Sequence, residues 1–196
     1  MADVLTLMQT APTSGPCVYL VISQTGTLLS RILKAVTGAA YNHISLSLSA
    51  DLDRMYSFGR RHPYNPFWAG FVVESPRAGT YKRFPKTKAV VLALPVSPNA
   101  YDGLRCLIRG MLSHQAAYHY NYLGLLFAAA HIRYHKEYCY YCSEFVRELL
   151  LRVRVDGCER LEPIVQPIHF LQIPEGHIIY RGYLCDYPDR EAVPWS

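Results

Sequence analysis

At 196 residues, with 51% hydrophobic and 18% charged side chains, the chain carries enough apolar surface for one buried core and too much for a disordered or fibrous protein. The formal net charge of +5 is spread over KAV, GRRH, YKRFPKTK and RVRV with no long basic run, which argues against a nucleic-acid-binding stripe and leaves anionic surfaces such as phospholipid open as partners. MADVLTLMQTAPTSGP lacks a basic segment followed by an apolar one, and LGLLFAAAHI is too short to cross a bilayer, so a single cytoplasmic domain over 1–196 without a transmembrane segment is expected, its six cysteines reduced.

In chain order, CVYLVIS from Cys17 is a β-rich run. Leu28, Leu29, Ile32, Leu33 and Val36 follow at helical spacing between Thr27 as N-cap and Gly38 as stop. NHISLSLS alternates, with Ile44, Leu46 and Leu48 on one face and His43, Ser45, Ser47 and Ser49 on the other. RMYSFG after ADLD completes a hairpin with it. A Pro-rich loop around RRHPYNPFW precedes two further strands, AGFVVES and KAVVLAL, joined by an irregular basic connection. Ser97 caps a helix over SPNAYDGLRCLIRGMLSHQ with Pro98 at its first position. NYLGLLFAAAHIRY reads as helix, CSEFVRELLLRV as an amphipathic helix with Cys142 in its first turn, and GHIIYRGYLCDY as a late strand. At least four β runs followed by helices make an α+β protein.

Three chemistries compete for EYCYYCSEF. His131, His135, Cys139 and Cys142 have the side chains for zinc, but on one continuous helix they line one face instead of surrounding an ion; a break near Glu137 would restore the geometry. A redox C-x-x-C is expected after a strand, whereas a helix precedes this one. Both cysteines also suit ordinary core packing. Position separates them: a thiol in a helix's first turn sits at the positive end of the macrodipole, which favours the nucleophilic thiolate, and only Cys142 is placed there. Its backbone N–H is then the natural donor to an oxyanion. A nucleophilic thiol needs a base, and His43, at the start of the alternating strand on its polar face, is better placed than His62, His114 or His119.

YNHISLSL early and YYCSEFVRELL late resemble, as a pair and in that order, the circularly permuted NlpC-type cysteine peptidases, the YiiX-like group, shared in outline with lecithin retinol acyltransferase relatives. Ordinary members place a D-C-S-G-F-V-like helix before the histidine strand; here C-S-E-F-V comes last. The resemblance implies a papain-like fold, an antiparallel sheet or small barrel packed against helices, with Cys142 as nucleophile and His43 as base. It further implies an orienting polar residue on the strand after His43. In a hairpin turning near Asp51 and Leu52, positions opposite His43 fall near Phe58 and Gly59, and Ser57 is the nearest polar side chain; Glu74 takes the role if the next strand supplies it.

The expected function is a thiol hydrolase acting on amide or ester bonds of small peptides, peptidoglycan fragments or lipid acyl groups through a thioester, with no cofactor and no metal. A thiol acyltransferase acting on lipid and a non-catalytic binding module on the same scaffold are the alternatives. The tyrosines of HYNYLG and YCYYC are candidates to line an apolar acyl slot.

Overall fold

The computed structural model describes residues 7–8, 15–24, 41–62 and 65–188. The helix expected between Thr27 and Gly38 lies outside them. The strands are β1 (Leu7–Met8), β2 (Cys17–Gln24), β3 (His43–Ser47), β4 (Met55–His62), β5 (Asn65–Glu74), β6 (Lys88–Pro95), β7 (His119–Tyr120), β8 (Cys139–Tyr140) and β9 (His177–Tyr183). They form one mixed open sheet in the order β1-β9-β6-β2-β3-β4-β5-β7-β8, antiparallel except for the parallel β7–β8 pair. Among the described residues four helices complete the α+β arrangement: α1 (Gly79–Arg83), α2 (Pro98–Ser113), α3 (Tyr122–Ala129) and α4 (Cys142–Arg152), with several 3-10 turns.

The central strands are buried on both faces. Val18, Leu20 and Ile22 of β2, Ile44 and Leu46 of β3, and Tyr56 and Phe58 of β4 pack with Leu104 and Ile108 of α2 and Phe145, Val146, Leu149 and Leu150 of α4. Phe58 is the hub, with ring centroids 5.1 Å from Phe145, 5.3 Å from Tyr140 and 5.8 Å from Phe71. The opposite face joins Tyr19, Val21, Met55 and Val91 to Tyr81 of α1 and to Ile179 and Tyr180. This second layer changes the meaning of the alternation in β3. The face read as polar is not open to solvent, since Ser45 and Ser47 are wholly buried beneath it.

Other expectations meet the structure more directly. Ser97 caps α2, accepting from the Ala100 N–H at 3.2 Å, with Pro98 in the first turn. The region read as a Pro-rich loop is instead mostly strand, β4 running to His62 and β5 starting at Asn65, with a register shift between Arg60 and His62. Proline is compatible with that stretch because β5's outer neighbour, β7, pairs with it only at Gly70, so among the described residues the start of β5 has no ladder partner on that side.

The segment NYLGLLFAAAHIRY is helical only to Ala129. The Ala130 and Ile132 N–H groups return to the Phe127 carbonyl at 2.9 Å, and His131 adopts a left-handed backbone (φ 57°), so the chain turns away before His135.

Candidate active site

The first residue of β3 and the first residue of α4 meet at one end of the sheet. His43 stands at the former, Cys142 at the latter, and the thiol lies close enough to the ring to raise its basicity. His43 Nε2 donates to Glu74 Oε2 at 2.9 Å, which leaves Nδ1 as the ring nitrogen available to the thiol. The Ser45 hydroxyl donates to the same carboxylate oxygen at 2.7 Å and lies 3.3 Å from Nε2. Behind Ser45, the Tyr81 phenol bonds Ser23 at 3.4 Å and lies close to the Ser45 hydroxyl. Thiol, imidazole, carboxylate, serine and phenol thus form one chain of polar groups sunk between the two layers.

Charge follows from that chain. Burial alone would lower the basicity of His43, but the Glu74 carboxylate outweighs it, and the ring is held well above the ordinary imidazole value. Burial likewise opposes ionisation of Glu74; His43, the Ser45 hydroxyl and Arg60 overcome it, so the carboxyl sits below its usual range. Both directions describe an imidazolium beside a carboxylate, each side chain 14% exposed. Burial and the neighbouring Glu74 push the Tyr81 phenol up to about 12, so it keeps its proton and remains a donor.

Ser57, expected as the orienting residue, does not fill that role. The register came out as read: Leu46 pairs with Tyr56 and Ser47 with Met55, which sets Gly59 opposite His43. The buried Ser57 hydroxyl, however, donates to the Ile44 carbonyl at 2.7 Å. Glu74, from the next strand, takes the imidazole instead, reaching along the sheet face past Gly59. A Cβ at Gly59 would lie 3.5–3.6 Å from Val72, from Glu74 Oε1 and from His43 Cε1, so a larger side chain there would push into the contact. Ser57→Ala is accordingly expected to cost about 1–2 kcal/mol in urea unfolding, from the carbonyl left unpaired, while turnover changes less than about twofold.

The two residues after Cys142 build the walls of the site. The Ser143 hydroxyl donates to the Val165 carbonyl at 2.6 Å, tying the 164–167 segment to the helix start. Glu144 holds the other side: Oε1 accepts from His135 Nδ1 at 3.1 Å, and Oε2 from Asn121 Nδ2 and the Tyr141 N–H, both at 3.4 Å. Neither role was legible as a motif, although polar residues directly after the cysteine in a helix's first turn were the available signal. Because His135 is engaged by Glu144, it is not grouped with His131, Cys139 and Cys142. Among the described residues no three His, Cys, Asp or Glu side chains converge as a metal site.

Cys142 is 5% exposed and opens into a cleft of about 110 Å³. Its walls are largely apolar, including Tyr120, Leu125 and Ala128 on one side and Ile164 and Pro167 on the other. Tyr120 and Tyr141 are the tyrosines of HYNYLG and YCYYC that reach it. Burial, and then the proximity of Cys142, hold the Tyr120 phenol well above its ordinary range, so it too keeps its proton. Of the other cysteines, Cys17, Cys139 and Cys158 are buried, and burial pushes the Cys158 thiol up to about 12. A thiol next to an imidazole oriented by a carboxylate, at a helix start whose first N–H groups have no intrahelical partners, can act as a nucleophile toward a carbonyl. Compared with known proteins, the chain matches no family model, no curated protein and no solved structure.

Proposed function

We propose that this protein is a cysteine-dependent hydrolase of amide or ester bonds, built on a permuted papain-like scaffold of the NlpC type. One observation carries the reading: the Cys142 thiol sits beside an imidazole whose Nε2 is held by a largely buried carboxylate. The histidine strand preceding the cysteine helix matches the permuted order.

In this mechanism the proton of the thiol already resides on His43 Nδ1, and the Cys142 sulfur adds to the substrate carbonyl beside that imidazolium. The Cys142 backbone N–H faces the oxygen that becomes negative. Collapse expels the amine or alcohol, which receives the proton from His43, and leaves a thioester on Cys142. His43, now neutral, takes a proton from water as the water adds to the thioester; the acid departs, the sulfur is released, and the ring keeps the proton it took, which restores the starting state. Glu74 stays ionised throughout and fixes the ring orientation. Transfer to an acceptor other than water differs only in the last nucleophile. The apolar cleft suits an acyl group with a hydrophobic substituent, as in a small peptide, a peptidoglycan fragment or a lipid acyl group.

The test is competitive alkylation by iodoacetamide near neutral pH, read by mass spectrometry. Cys142 is expected to label faster than the exposed Cys106 despite its burial, and His43→Ala is expected to abolish the advantage. Labelling slower than Cys106 in the wild-type protein would leave a binding module, with the thiol serving only as packing.

A further inference from the structure

Among the described residues, eight large hydrophobic side chains are exposed, and six of them fall in one stretch, 122–138: Tyr122, Leu123, Leu126, Ile132, Tyr134 and Tyr138. In that stretch only Gly124 is buried. Scattered exposed apolar residues are ordinary, whereas a concentration of this kind marks an interaction surface. The segment is nonetheless well built. The Asn121 side chain caps α3 through the Gly124 N–H at 2.8 Å and donates to the Tyr134 carbonyl at 3.2 Å, and the Phe127 and Tyr134 rings pack 5.4 Å apart. A side chain on Gly124 would collide with Asn121, so the close approach depends on glycine. Helix and return loop are thus tied to each other and present apolar side chains to the outside, Leu123 and Leu126 being 55% and 66% exposed.

Charge selects what it meets. The exposed return loop carries Arg133 and Lys136 against one acidic residue, Glu137, and the chain as a whole is cationic at +5. Tyrosines at 122, 134 and 138 provide apolar rings with polar tips, the chemistry suited to the boundary between hydrocarbon and water. At eight residues α3 is about 12 Å long, and among the described residues no helix is long and apolar enough to cross a membrane, so the projection fits shallow insertion.

We infer that residues 122–138 dock the protein on an anionic phospholipid surface, with Leu123 and Leu126 entering the acyl boundary and Arg133 and Lys136 facing the headgroups. The same segment lines the Cys142 cleft through Leu125, Ala128 and His131, so docking brings the cleft mouth to the lipid. The inference does not depend on the chemistry proposed at Cys142.

Flotation with extruded vesicles tests it, comparing phosphatidylcholine alone with a three-to-one mixture of phosphatidylcholine and phosphatidylglycerol. The protein is expected to float with the anionic vesicles and more weakly with the neutral ones. The double variant L123E/L126E is expected to bind at least about tenfold less with an unchanged thermal midpoint, since both side chains are exposed. R133A/K136A is expected to lose affinity for the anionic vesicles only, by roughly fivefold per charge. Cys142→Ala is expected to float like the wild type, which separates this inference from the catalytic one. Absence of flotation on either vesicle, or equal flotation of L123E/L126E, overturns it. So does elution of the wild type as an oligomer that L123E/L126E converts to monomer, because a second copy would then cover the face.

Discussion

Cys142→Ala is expected to abolish hydrolysis of a responsive peptide amide or acyl ester, lowering kcat/KM by about 10⁴-fold or more. The size follows from what is removed. The remaining cleft still binds an acyl group and the helix still presents its first N–H groups, but no atom is left to form the thioester. The substitution shortens a side chain that packs with Tyr140, Phe145 and Val146, so its structural cost is expected to be near that of losing one small buried atom, about 1 kcal/mol. Steady-state kinetics beside a thermal melt separate the two effects. A variant that folds normally and still turns over the substrate would reject Cys142 as nucleophile.

Glu74→Gln is expected to lower turnover on the order of 10²-fold and to shift its pH dependence. Glutamine keeps the shape and an oxygen that accepts from Nε2, but removes the charge that holds His43 well above the ordinary imidazole value. His43 must carry a proton to release the leaving group, so the alkaline limb of kcat/KM is expected to move to lower pH in the variant. Stability follows the same pair. A raised His43 stabilises the fold below the unfolded imidazole value and ceases to do so as pH rises through its folded value. A lowered Glu74 stabilises above the unfolded carboxyl value and ceases to do so as pH falls through its folded one. The gap between wild type and Glu74→Gln, about 1–3 kcal/mol, is therefore expected to be widest between roughly pH 4.5 and 6.5 and to narrow on both sides. Urea unfolding across pH measures it; a gap that widened toward alkaline pH would show that the two groups do not face each other as an ion pair.

The site combines groups at three depths in the chain, and they differ in how readable they were. His43 and Cys142 were legible because each is defined by its immediate neighbours: a two-residue alternation marks one, an apolar stripe beginning one turn later marks the other. The choice between Ser57 and Glu74 was not. It turns on a side chain reaching diagonally across β4 beside Gly59, and on Ser57 finding a closer acceptor in the Ile44 carbonyl. The wall-building roles of Ser143 and Glu144 depend on partners 22 and 9 residues away, Val165 and His135. The length of α3 was overread because alanine-rich sequence favours helix, while the left-handed turn at His131 is stabilised by returning bonds to Phe127.

Residue order alone determined the α+β character, the cap of α2, the apolar stripe of α4, and which side chains of β3 share a face, because these follow from interactions within a few residues. Tertiary structure decided that this polar face is buried under Tyr81, that Glu74 claims the imidazole, and that the thiol and ring, 99 positions apart, meet at the sheet's end. Those outcomes depend on burying both faces of one sheet at once, a condition that no local stretch of the chain contains.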